Sequence, residues 1–388
     1  MKSLVPDEDF IRLAKQFNCE PKALRKALKE SYPTYDNRKS RIDSRIRRLR
    51  KEGYLPLDSG NKVSLGEVLT GTTTLYAEDG SIKHQYVKTS VPKHEVYEGV
   101  MESIRNLVLE QIEPLETIEP TPHSHNDDLL ATYISNDLHL GLLVDGNEAA
   151  VNWNLDKGLR EAKAAIDFLM QTTPTTKECI VVDLGDMVES DDRTNRTRKS
   201  GNPLDVDGFY HNIFERTYQL IIYFVQRALE KHEVVHFYNV EGNHDNYVAF
   251  AVRHIVKTAF KDNPRVKFSD RQSKLLYHLH GQTLLGFAHG DEIKPAKAET
   301  AMVSDNHDIW SETKNRYFHF GHVHSFKSED KSLCTTESHR HLMPLNSWAY
   351  NNGFRGPLGT MKSITYSKTK GEVSRNVYQV SIEDDTTS

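Results

Sequence analysis

The sequence predicts an α/β layered domain behind a small basic helical module, and three observations carry that prediction. From residue 128 onward, short apolar runs of strand character alternate with stretches of helical period. Just past the ends of five of those runs stands a small polar cluster. Residues 1–55 hold fifteen Lys and Arg against eight Asp and Glu, a surplus of seven, leaving −12 for the rest of a chain whose net charge is −5.

The length of 388 residues suggests two or three domains at roughly 100–200 residues each. Hydrophobic residues at 37% and charged residues at 27% exclude a fibrous or disordered class. The longest apolar run, Leu220 to Val225, falls far short of the roughly 18 residues a membrane-spanning helix needs. The N-terminus turns acidic at Asp7, Glu8 and Asp9, where a secretory leader would turn apolar. Cys19, Cys179 and Cys334 are too few and too far apart for a disulfide framework or a CxxC metal knuckle. A reducing cytoplasm is therefore the expected setting. The 19 histidines are a rich supply of nitrogen ligands.

Taken in order, residues 7–17 carry Phe10, Ile11, Leu13, Ala14 and Phe17 at helical spacing, and a break at 18–20 precedes Pro21, a residue suited to a helix start. A second helix over 21–28 turns Ala23, Leu24, Ala27 and Leu28 inward, and a third over 38–51 has Ile42, Ile46 and Leu49 as its core stripe. Three short helices with a tight turn between the first two resemble a helix-turn-helix module, and the plain alternative is a helical bundle with solvated arginines. Residues 72–76 and 84–89 around the turn at 78–81 read as a β-hairpin, followed by an amphipathic helix over 93–112 and a Pro- and acid-rich linker over 113–127. Strands are expected at 130–135, 179–184, 234–240, 282–288 and 317–320, and helices at 153–170, 209–229 and 250–259. Residues 362–367 and 376–381 read as a closing hairpin. The expected division is 1–55 for the basic module, 56–127 for hairpin, helix and linker, and 128–388 for the α/β domain.

The clusters behind the strands are Asp137-Leu138-His139, Gly185-Asp186, Gly242-Asn243-His244-Asp245, His289-Gly290-Asp291 and Gly321-His322-Val323-His324. Strand C-terminal ends are where α/β sheets place ligand sites. Any one cluster is common by chance, and a lone His there is more often a capping or core residue. Five in a row are not. Mixed imidazole and oxygen donors suit Mn, Zn, Fe or Ni better than Ca or Mg. The glycines at 185, 242 and 321 are expected to turn the backbone sharply.

This pattern, D-x-H, G-D-x-x-E, G-N-H-D, H-G-D and G-H-x-H, resembles the calcineurin-like metallophosphoesterase superfamily over residues 128–388. The resemblance implies a four-layer α/β/β/α sandwich holding two divalent ions, manganese foremost. It implies that Asp186 bridges them, that Asp137, His139 and His324 complete one shell, and that Asn243, His289 and His322 complete the other. It further implies that His244 assists the leaving group and that Asp245 orients its ring. Glu189 stands where many members have Asp or Asn, beside the first shell, and metal binding is expected to survive the change. Gly-Asn-His-Asp is similar to the nuclease and phosphodiesterase branches, including SbcD-like DNA exonucleases, and the residues after the second motif depart from the protein-phosphatase pattern. The basic module and hairpin together look like phosphoesterases of tailed bacteriophages, which would place the protein in a host cytoplasm.

The expectation is thus a phosphodiesterase acting on DNA, with residues 1–127 as its guide. The alternatives are hydrolysis of nucleotides or other small phosphoesters, and a DNA-binding adaptor whose phosphoesterase fold has lost turnover. A loop over 191–203 carries Arg193, Arg196 and Arg198, which as a cover over the metals would hold backbone phosphates, or as an ordinary surface loop would not. His339, Arg340, His341 and Asn346 follow the last motif and are further candidates for substrate contact.

Overall fold

In the computed structural model the described residues are 5–16, 21–33, 35, 38–51, 54–55, 68–76, 82–90, 112, 114–119, 126–149, 151–197, 201–269, 273–353, 355 and 359–380. The chain divides into two compact units, Met1–Ser103 and Ile104–Ser388.

In the first unit, α1 (Asp7–Gln16), α2 (Pro21–Ser31) and α3 (Lys39–Lys51) enclose a small core of Phe10, Leu13, Leu24, Leu28, Ile42, Ile46 and Leu49. The inward positions are those the helical period picks out. Two of the α3 arginines pair within their own unit. Arg45 Nε and Arg48 Nη2 donate to Asp7 at 3.0 and 2.7 Å, and Arg45 lies 4.4 Å over the Phe10 ring. β1 (Val68–Tyr76) and β2 (Ile82–Ser90) form the expected antiparallel hairpin. The helix expected over 93–112 lies, apart from residue 112, outside the described residues.

The second unit is mixed α/β, with two sheets packed face to face and helices on both outer faces. The six-stranded sheet runs β13-β12-β3-β4-β5-β6 and the five-stranded sheet β10-β11-β9-β8-β7. Their strands are β3 (Asn126–Ser135), β4 (Thr176–Asp183), β5 (Val234–Asn239), β6 (Val266–Phe268), β7 (Leu276–His280), β8 (Thr283–Ala288), β9 (Asn315–Phe320), β10 (Lys327–Asp330), β11 (Thr335–Ser338), β12 (Thr360–Ser367) and β13 (Gly371–Gln379). Parallel pairing joins β3 to β4 to β5, and β8 to β9.

Helices α4 (Leu155–Thr172), α5 (Tyr210–Lys231) and α6 (Asn246–Ala259) cover one outer face, and α7 (Pro295–Asp305) packs on the other. In β4, Cys179 and Val181 face the helices while Ile180 and Val182 face the second sheet. In β8, Leu285 and Phe287 face the first sheet while Leu284 and Ala288 meet α7. Burial on both faces is why these strands read as unbroken apolar runs.

The stretch expected as a linker is anchored where it is described. Ile112, Leu115 and Ile118 pack against the helix-side core, and the Leu115 N–H bonds the Ala259 carbonyl at 2.8 Å. The closing hairpin forms, but β13 starts at Gly371, inside the expected turn. No helix among the described residues is long and apolar enough to cross a membrane.

Candidate metal centre

The five polar clusters follow β3, β4, β5, β8 and β9, so they belong to two sheets. Three rise from the six-stranded sheet and two from the five-stranded one. Main-chain bonds stitch them together: Asp137 N to Gly185 O at 3.1 Å, His139 N to Asp186 O at 2.9 Å, and Gly321 N to His289 O at 2.9 Å. The sandwich thus brings to one end what the chain spreads over nearly two hundred residues.

Asp137, His139 and His324 form one group, and Asp186, His289 and His322 another; within each, one ligand atom per residue lies within 4.8 Å of the others. In the first, His324 Nε2 stands 3.3 Å from Asp137 Oδ1 and 3.3 Å from His139 Nε2. In the second, His289 Nε2 stands 3.1 Å from both Asp186 Oδ2 and Asn243 Oδ1. A third grouping, His139, Glu189 and His244, shares its first member with the first group.

The ring tautomers follow from the partners. The Leu184 carbonyl can only accept, so His289 Nδ1, 2.8 Å away, carries the proton and Nε2 is the ligand atom. Glu189 Oε2 lies 2.8 Å from His139 Nδ1 and likewise turns Nε2 to the site. Carboxylate and carbonyl braces of this kind orient and strengthen histidine ligands.

Six non-glycine residues among those described have positive φ, and five of them are Asp137, His139, Asp186, His322 and His324. Each such residue costs about 1–2 kcal/mol. Strain concentrated on candidate ligands marks an arrangement held for use rather than for stability. Of the glycines at 185, 242 and 321, only Gly185 uses positive φ. Gly242 and Gly321 are needed for space: a Cβ on Gly242 would sit 2.1 Å from Asp186 Oδ1, and one on Gly321 2.1 Å from Asn136 Oδ1.

The electrostatics fit a missing positive charge. Asp137 and Asp186 are almost completely buried, and among the described residues neither pairs with Lys or Arg. Burial opposes ionisation of Asp186, yet the rings of His289, His244 and His139 outweigh it and hold its carboxyl far below the usual range. Conversely, burial disfavours a charged His139, but Glu189, Asp186 and Asp137 raise it to about 9. His289 rises to about 10, burial again being overcome, chiefly by Asp186. Two buried carboxylates flanked by imidazoles and, among the described residues, by no Lys or Arg are a set a divalent cation would satisfy. Ligand identity alone leaves the choice of metal open.

His244 is positioned as expected and oriented differently. Its main-chain N–H donates to Asp186 Oδ1 at 2.7 Å, and its ring Nδ1 donates to the Glu189 carbonyl at 2.8 Å. Asp245 does not orient this ring. It is fully buried, and its carboxyl accepts from Met187 N and Gly242 N, both at 2.8 Å, clamping the second motif to the third. Asp191, which the sequence did not single out, accepts from Tyr247 N and Val248 N and caps α6.

A cleft of about 540 Å³ opens beside His139, His324 and His244. From the loop after the second motif it takes Thr197, Asn202, Pro203, Leu204 and Asp205. Arg193 and Arg196 are not among its walls, Arg196 donating instead to the Gly201 carbonyl at 2.8 Å, and Arg198 lies outside the described residues. His341 and Asn346 line the cleft; His339 does not, being buried against His319 at 3.0 Å. Leu142, Met343 and Leu345 also line it, with no polar signal in the sequence to reveal them.

No protein-family model matches this sequence, and no curated protein sequence matches it. Among solved structures it is similar to Chaetomium thermophilum Vps29, at 11% identity and TM-score 0.31 over 65% of this chain and 97% of that one. It is similar also to YfcE, a phosphoesterase from E. coli, at 12% and 0.31 over 65% and 100%. A dimetal phosphatase from Danio rerio shares 8%, with TM-score 0.36, over 66% and 100%. These are distant likenesses, and the reading of the site rests on this chain's own residues.

Proposed function

We propose that this chain is a binuclear metal-dependent phosphodiester hydrolase of the calcineurin-like kind, acting on DNA with its basic N-terminal unit as substrate guide. The observation that supports it most is the convergence of two His and carboxylate groups from four strand ends, around carboxylates that pair with no Lys or Arg among the described residues. Asp137, His139 and His324 would hold one ion, and Asn243, His289 and His322 the other, with Asp186 common to both. Bound there, divalent ions, manganese foremost, supply Lewis acidity toward phosphoryl oxygens and water.

The chain's own part in the reaction falls to His244. With Nδ1 committed to the Glu189 carbonyl, Nε2 is the nitrogen available to protonate the departing alkoxide as the phosphorus–oxygen bond breaks. Asp245 has no part in that step.

A second reading, hydrolysis of a small phosphoester, is favoured by one observation: the cleft beside the ligands is lined by no Lys or Arg among the described residues. Purified protein with added Mn, tested on single- and double-stranded DNA, bis-p-nitrophenyl phosphate and p-nitrophenyl phosphate, separates the two. The expected result is cleavage of DNA and of the diester, lowered about 10²–10⁴-fold by His244→Ala with metal content unchanged. Turnover of the small esters alone selects the second reading, and silence on all four sinks both.

A further inference from the structure

The cleft has two unlike walls. One is the metal centre itself, through His139, His324 and His244. The other is mostly apolar and includes Leu142, Leu204, Met343 and Leu345. Met343 is fixed before any ligand arrives, since Trp153 Nε1 donates to its sulfur at 3.1 Å. A preformed pocket of several hundred cubic ångströms with apolar walls and a few polar groups is what a ring-bearing small group needs.

Charge decides which group. Glu189 and Asp205 line the cleft, and among the described residues no Lys or Arg does, so a second phosphate would meet two carboxyls and no basic side chain there. The asparagines 202 and 346 and Thr197 offer neutral hydrogen-bonding edges instead. Because His244 faces the same space, its occupant is the alcohol that leaves from phosphorus.

We infer that this cleft is a leaving-group subsite for an uncharged nucleoside, so that the scissile ester is the last one of a chain or belongs to a nucleotide ester, and a continuing phosphate backbone is refused. The inference rests on the phosphodiesterase reading for the chemistry at phosphorus. In that step water adds to phosphorus, the phosphorus–oxygen bond to the nucleoside breaks, and its oxygen takes a proton from His244 Nε2.

The test is equilibrium binding by calorimetry to the full-length, Mn-loaded protein, with methyl phosphate, thymidine and thymidine monophosphate as probes. Thymidine monophosphate should bind at least about tenfold more tightly than methyl phosphate, and Leu345→Trp and Leu204→Trp, made separately to fill the cleft, should each erase that gain. Methyl phosphate affinity and melting temperature in the variants report whether the fold and the metal centre are intact. Equal affinity for the two phosphates in the wild type, or an undiminished gain in both folded variants, overturns the subsite. Turnover of bis-p-nitrophenyl phosphate is followed in parallel. Preferential nucleotide binding without turnover leaves the subsite standing and sinks the hydrolase, whereas turnover without preference does the reverse.

Discussion

The two halves of the metal centre are built from the same residue types and differ in how they are closed. Around Asp186 and His289 the centre is the more enclosed: both of these side chains are almost wholly buried, with His322 and Asn243 partly exposed, and the His289 ring is held by a main-chain carbonyl. Around Asp137 and His139 it opens to the cleft. His324 keeps 38% of its side chain exposed, and His139 is braced by the side chain of Glu189. A carbonyl brace cannot be altered by substitution, whereas a carboxylate brace can. On the proposed reading, the more enclosed half would hold the less exchangeable ion, and the half beside the cleft the one that meets substrate.

Three measurements test that contrast. The largest effect is expected from Asp186→Asn, which removes the carboxylate common to both halves. Metal content should fall from two ions to one or none, and hydrolysis should drop by more than the ~10²–10⁴-fold that loss of a general acid gives. Two retained ions would refute the shared role of Asp186.

Glu189→Gln comes next. Loss of the brace on His139 should weaken one ion by ~10–100-fold and leave the other unchanged in a metal titration. Equal weakening of both would erase the distinction between the halves.

The smallest effect is the coupling to pH. In the metal-free protein the raised rings, His139 at about 9 and His289 at about 10, carry protons at pH 7.5. Metal binding needs them neutral, so it should release protons, and affinity should climb with pH until about 9–10. Titration calorimetry in buffers of different ionisation enthalpy reads that release directly. Absence of proton release would mean that the carboxylates do not hold these rings charged.

Much of this centre was legible in the chain. The five clusters, their order and their place behind strands follow from local pattern, because a strand's apolar run and the polar turn after it are both short-range features. Regular elements with strong periodicity, such as α5 and β4, were legible for the same reason. Less visible were strands with little apolar signal: the four residues of β10, Lys327–Asp330, are polar and largely exposed at a sheet edge.

The residue types of the candidate ligands, and their place at strand ends, could be read from the chain alone. Only the tertiary structure decided what each neighbour does. Asp245 sits beside His244 in the chain, yet it clamps Met187 and Gly242, while the carbonyl of Glu189, 55 residues away, holds the His244 ring. Likewise, the arginines after the second motif advertise phosphate binding, but Arg193 and Arg196 stand off the cleft wall, which takes Thr197, Asn202, Pro203, Leu204 and Asp205 from that loop and Met343 and Leu345 from the far end of the domain. The physical reason is one of range. Backbone period and turn chemistry are set by adjacent residues, whereas the partner of a buried polar atom is whichever group the packing of two sheets brings within three ångströms or so.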